Sequence, residues 1–204
     1  MPRLLLVRHG STEFNDALRF AGVSDIELNT EGIRQAEKLR DRLAKEKIDV
    51  IYCSELKRAL ATARIISPNH QTETVVCPEL RECNYGEAEG LTIEEIRQRF
   101  PEIASAMSEN SLEIDFPGGE SFNSFIHRAG TFANRLDEHT AEQTILVVTH
   151  GGVLRALVCC LLGLDKRHWW NFQFSNASLS VIEMHRRRRR LTLLNDTSHL
   201  NKKP

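Results

Sequence analysis

Four apolar runs punctuate the chain: LLLV at 4–7, VIYC at 50–53, TVVC at 74–77 and TILVVT at 144–149, with helix-period segments between them. Strands buried on both faces need such continuous runs, and intervening amphipathic helices supply their cover. The pattern predicts an α/β fold, a three-layer sandwich with a mostly parallel central sheet flanked by helices. Helix signals agree with it. Ile33, Ala36, Leu39 and Leu43 form a stripe behind Asn29 or Thr30 as cap, and Ser54 stands where it would cap ELKRALATARII. Thr92 and Glu95 read as a capping box opening TIEEIRQRF. Phe122, Phe125, Ala129, Phe132, Ala133 and Leu136 form a core-facing stripe behind Ser121, and Gly163 ends a helix that starts near Gly152. Residues from about 84 to 121 show no strand pattern and read as a helical and loop insertion over the active edge of the sheet. SLSVIEMH and LTLLN read as paired strands joined by an Arg-rich connection at 186–190.

Composition narrows the function classes. With 204 residues and 41% hydrophobic content, residues 1–204 are sized for a single domain. The 27 Lys+Arg against 28 Asp+Glu leave no whole-protein field that would draw the chain to nucleic acid or a membrane. The five-arginine run is a local exception. A nucleic-acid or acidic-partner binding module is its functional reading, and a charged connection guarding a sheet edge is the competing one. Cys53, Cys77, Cys83, Cys159 and Cys160 lack CxxC spacing and are expected to be reduced, buried thiols in a cytoplasmic protein. No membrane span is expected, since even VLRALVCCLLGL is interrupted by Arg155. His70, His139 and His199 are expected at the surface, and Trp169 with Trp170 in a lid or a homodimer contact.

The chemistry gathers where strands end. LLLV runs directly into Arg8, His9 and Gly10, and TILVVT into His150, Gly151 and Gly152. Strand neighbours point to opposite faces, so Gly10 is expected to turn the chain through torsions other residues avoid, bringing Arg8 and His9 to one pocket. Open α/β sheets bind ligands at this carboxyl edge. Arg58 falls in the first turn of a helix after another strand, where free N–H groups and a guanidinium suit an anion. His9, His150 and Glu82 lack metal-ligand spacing, and no metal is expected.

RHG with Asn15 beyond it, CSELKRALATA, LRECNYGEAEG, PGGES and VVTHGG, taken in order, resemble the histidine phosphatase, or phosphoglycerate-mutase-like, superfamily. The resemblance implies that His9 is a nucleophile that becomes phosphohistidine and that Glu82 is the proton donor and later the base. Arg8, Asn15, Arg58 and His150 would hold the phosphoryl group, with Gly22 and Gly151 offering backbone contacts. It implies no cofactor, and a small phosphorylated metabolite as partner. Phosphoglycerate mutases carry a longer basic segment after the Glu82 position, whereas LTIEEIRQRFPEIASAMSENSLEIDF is acidic. Water is therefore the expected acceptor, making a phosphomonoesterase, with phosphoglycerate mutase as the alternative activity. The compact form with GEAEGLT and PGGES is most similar to enzymes of α-ribazole 5′-phosphate, and similar short relatives act on phosphoserine or sugar phosphates.

Overall fold

The computed structural model describes residues 2–139, 142–185 and 188–201. Its centre is a six-stranded sheet of β1 (Arg3–Arg8), β2 (Val50–Cys53), β3 (Thr74–Val76), β4 (Thr144–Thr149), β5 (Leu179–His185) and β6 (Arg188–Asp196). In space the strands run β3-β2-β4-β1-β5-β6. The pairs among β3, β2, β4 and β1 are parallel, while β5 and β6 join antiparallel. This is the expected α/β sandwich with a mostly parallel sheet.

Strand alternation divides the core. Leu4 and Leu6 of β1 pack on the side of α6 (Phe122–Arg135) and α7 (Gly151–Leu162), where the Phe122, Phe125 and Phe132 rings are all but fully buried. Leu5 and Val7 face α2 (Thr30–Leu43) and α3 (Lys57–Ile66). Each such large apolar side chain contributes about 1.5–3 kcal/mol by leaving water. On α2 the buried stripe is Gly32, Ala36, Leu39 and Leu43. Ile33 is 45% exposed, and Gly32 takes the buried position instead, against the backbone of Gly10 and Ser11.

Asn29, Ser121 and the Thr92–Glu95 pair cap their helices as predicted, and Gly163 closes α7 in the left-handed region. Ser54 does not cap α3. The N-cap is Leu56, and the Ser54 hydroxyl is engaged by a distant imidazole. After β3, residues 84–121 form short helical turns, α4 (Ile93–Arg99) and α5 (Pro101–Ser108). This segment is tied to the loop after α1 (Glu13–Asp16) by Phe20 N–H to Leu91 O at 2.8 Å and by Arg19 to Glu95 at 2.9 Å.

Of the arginine run, Arg186 and Arg187 lie outside the described residues, so the connection itself does too. Arg188, Arg189 and Arg190 open the edge strand β6, paired with β5, and Arg189 makes an ion pair with Asp137. Cys53, Cys77, Cys83 and Cys159 are buried free thiols, but Cys160 is exposed, one position round α7 from Cys159. Burial pushes the Cys53 and Cys159 thiols up to about 11, which keeps them protonated and inert. His70 and His199 are buried, contrary to expectation, and His139 is half-buried against the Tyr52 hydroxyl at 3.0 Å. Among the described residues no helix is long and apolar enough to cross a membrane.

Candidate active site

The parallel register of β1 and β4 pairs Arg8 with Thr149, so the next residues, His9 and His150, emerge side by side. His9 N–H donates to Thr149 O at 3.0 Å, and the imidazole centroids lie 5.1 Å apart. Gly10 does not adopt left-handed torsions. It is needed for proximity, since a Cβ there would lie 2.3 Å from Gly32 O at the start of α2. The turn that frees His9 is thus bought by close packing of loop on helix.

Hydrogen bonds fix both tautomers. His9 Nδ1 lies 2.7 Å from Gly10 O, which can only accept, so Nδ1 carries the proton and Nε2 the lone pair. His150 Nδ1 accepts from Arg58 Nε at 3.2 Å, which places the His150 proton on Nε2, facing Ser54 Oγ at 2.8 Å. Burial, then the Arg58 and Arg8 charges, hold His9 well below its ordinary value. Burial, Arg58, His9 and Arg8 do the same to His150. Both imidazoles are therefore neutral, the state a nitrogen nucleophile requires.

A cavity of about 410 Å³ opens at this edge, and His9, Arg8, Asn15, Glu82 and Gly151 line it. Glu82 is 6% exposed, its Oε2 accepting from Gly152 N–H at 2.9 Å and its Oε1 from Cys83 N–H at 3.0 Å. The carboxylate thus sits on the N-terminal turn of α7. Asn15 Oδ1 is committed to Thr12 N–H and Asn176 Nδ2, so its amide N–H groups are what it can offer a ligand.

Arg58, His150 and Gly22 form the layer beneath the cavity rather than its wall. Arg58 is fully buried and donates to Ser24 O at 2.8 Å, Ala21 O at 3.1 Å, Gly22 O at 2.6 Å and His150. Gly22 N–H, expected to meet a phosphate, donates instead to Glu89 Oε2 at 3.1 Å. Glu89 also accepts from Val23 and Ser24 N–H, so this carboxylate shapes the loop whose carbonyls hold Arg58.

Sequence reasoning missed Ser54, Glu89, Tyr85, Asn176 and Arg155. Tyr85, Asn176 and Arg155 line the cavity, and Asn176 Nδ2 reaches His9 O at 3.2 Å. Arg155 alone carried a signal, a charge inside an apolar helical run. Trp169 is buried against Phe122 and donates to Gly152 O at 3.0 Å, while Trp170 is half-buried against the Phe122 and Trp169 rings. Among the described residues no group of three His, Cys, Asp or Glu side chains is arranged to hold a metal ion.

A family model described as "Histidine phosphatase superfamily (branch 1)" matches residues 4–197. Phosphoserine phosphatase 1 of Hydrogenobacter thermophilus is 37% identical over 98% of this chain and 95% of its own. Adenosylcobalamin/alpha-ribazole phosphatase of Escherichia coli is 34% identical over 95% of each. The crystal structure of the alpha-ribazole phosphatase from Shigella flexneri superimposes with a TM-score of 0.86 at 34% identity, covering 95% of this chain and 96% of that one.

Proposed function

The chain belongs to the histidine phosphatase superfamily and is a phosphoric monoester hydrolase, and from that premise we propose that it works through a phosphohistidine on His9 and transfers the phosphoryl group to water. The observation that carries the reading is the pinned His9 tautomer, with Nδ1–H on Gly10 O and the Nε2 lone pair left for the phosphorus, on a wall shared with Arg8 and Glu82. Nε2 attacks phosphorus as the ester P–O bond breaks, and Glu82 gives its proton to the departing oxygen. Water then attacks the phosphohistidine, Glu82 takes the proton, and the P–N bond breaks to release phosphate and neutral His9. General catalysis of this kind contributes about 10²–10⁴ in rate.

Arg8 meets the phosphoryl oxygens from the wall. Arg58 adds positive charge from below and holds His150, and Asn15 and the Gly151 N–H add neutral donors. Spread negative charge is what phosphoryl transfer asks a site to stabilise, and these groups do so without a metal. The names of the relatives point to two leaving alcohols, α-ribazole and serine. The test is p-nitrophenyl phosphate hydrolysis with chelator present. Turnover should persist in wild type and fall by about 10⁴-fold or more in His9→Ala, with no acid-labile phosphoenzyme formed. Chelator-sensitive turnover, or salt-sensitive RNA binding without turnover, would sink the reading, and rapid interconversion of phosphoglycerates would replace phosphatase by mutase.

A further inference from the structure

Beside the catalytic cavity lies a second one of about 540 Å³, walled by residues 170–176 together with Arg8 and Arg155. The two cavities share Arg8, Arg155, Phe174 and Asn176 as lining residues, so they adjoin at the wall of the His9 site. Arg155 stands at the junction.

Its guanidinium is the unspent cation of the site. Arg58 donates to three carbonyls and an imidazole, and Arg8 Nη1 donates to Phe174 O at 2.6 Å. Arg155 has no hydrogen-bond or ion-pair partner among the described residues, and its buried Nε is unsatisfied. What it has is the Trp169 ring, 4.4 Å from its guanidinium carbon, a contact that uses none of its N–H donors. Two other buried unpartnered nitrogens, Arg8 Nε and Trp170 Nε1, belong to residues of the same second cavity. Arg155 lines both cavities with no hydrogen-bond partner for its guanidinium among the described residues, and a cation so placed suits an anion.

We infer that the second cavity binds a carboxylate carried by the alcohol half of the substrate, with Arg155 as its ligand. The inference deepens the phosphatase reading and rests on it. Charge decides between anions. Arg8 and Arg58 are engaged with the phosphoryl site, which leaves one guanidinium for one negative charge, whereas a second phosphoryl group carries about 1.5–2. Asn171, Gln173 and Ser175 add neutral polar groups suited to an amino or hydroxyl substituent beside that carboxylate. An apolar heterocycle in the same place would leave the guanidinium unpaired.

A matched pair of substrates isolates the carboxylate: phosphoserine, and phosphoethanolamine, which lacks only that group. Wild type should favour phosphoserine by about tenfold or more in kcat/KM, as expected for a charge-assisted pair. Arg155→Gln should erase most of that ratio, chiefly through KM for phosphoserine, and Arg155→Lys, which keeps the charge and the stem, should retain an intermediate ratio. Thermal melts verify that both variants are folded. Lack of preference in wild type, a ratio that survives Arg155→Gln, an equal loss on both substrates, or α-ribazole 5′-phosphate outrunning phosphoserine would each overturn the assignment. A wild type that turns over p-nitrophenyl phosphate but shows one of those outcomes refutes the carboxylate site alone, and a wild type inert on p-nitrophenyl phosphate refutes the phosphatase reading with it.

Discussion

Gly152→Ala tests whether α7 places the proton donor. Gly152 is the second residue of that helix, and its N–H holds Glu82 Oε2 at 2.9 Å. An added Cβ would stand 2.4 Å from Glu82 Oε1 and 3.1 Å from Phe125 Cζ, where ordinary contact begins at 3.4 Å. Phe125 is fully buried in the core, so the carboxylate must yield. It has to move by about 1 Å, and a misplacement of that size in a reacting group costs about 10²-fold in rate. Overpacking adds a loss of about 1–3 kcal/mol in stability.

The assay separates displacement of the acid from general damage. An alkyl phosphate needs its leaving oxygen protonated, whereas p-nitrophenolate leaves without a proton. In Gly152→Ala the alkyl ester should slow by about 10²-fold, while the first turnover of p-nitrophenyl phosphate still appears as a rapid burst followed by slow hydrolysis of the phosphohistidine. Glu82→Gln, which lacks the clash, should show the same burst with an alkyl-ester loss of about 10²–10⁴. Equal slowing of both substrates in the first turnover, or alkyl turnover within about threefold of wild type, would refute the placement of the acid by this helix.

Other outcomes follow from the same layer of residues. His9 and His150 are held well below the ordinary 6.5, so below that pH the unfolded chain binds protons that the folded one refuses. Stability is therefore intact above the unfolded value and is lost as pH falls beneath it, by up to about 1.4 kcal/mol per pH unit for each imidazole; burial lowers His70 and His199 as well, adding the same sign. Denaturant midpoints should drop between about pH 7.5 and about pH 5.5, and a flat profile would contradict the buried neutral imidazoles. Ser54→Ala removes the partner of the His150 Nε2–H at a fully buried position, and unfolding measurements should show a loss of about 1–3 kcal/mol; a change below about 0.5 would mean that the hydroxyl does not hold the ring.

What the sequence made legible was whatever depends on near neighbours in the chain. The apolar runs gave β1 and β4, parallel pairing brought His9 beside His150, and the caps at Asn29, Thr92 and Ser121 were set within three residues of themselves. Distant partners decided the rest. Ser54 has the residue type of a cap, but an imidazole 96 positions away claims its hydroxyl. Gly10 is required at its position because of Gly32, which no local torsional rule reveals. The cations show the same division most clearly. Arg8, Arg58 and Arg155 are equivalent as letters, yet Arg58 is held by three carbonyls of the 21–24 loop and by His150, Arg8 is held by one carbonyl, and Arg155 is stacked with no hydrogen-bond partner among the described residues. A guanidinium already satisfied by protein can support a site by its charge and by the groups it orients, whereas one with unused donors at a cavity wall is free to select a ligand. Residue type does not report how many donors remain; the acceptors around each guanidinium do, and they set Arg58 to support the phosphoryl pocket and leave Arg155 to select what lies beyond it.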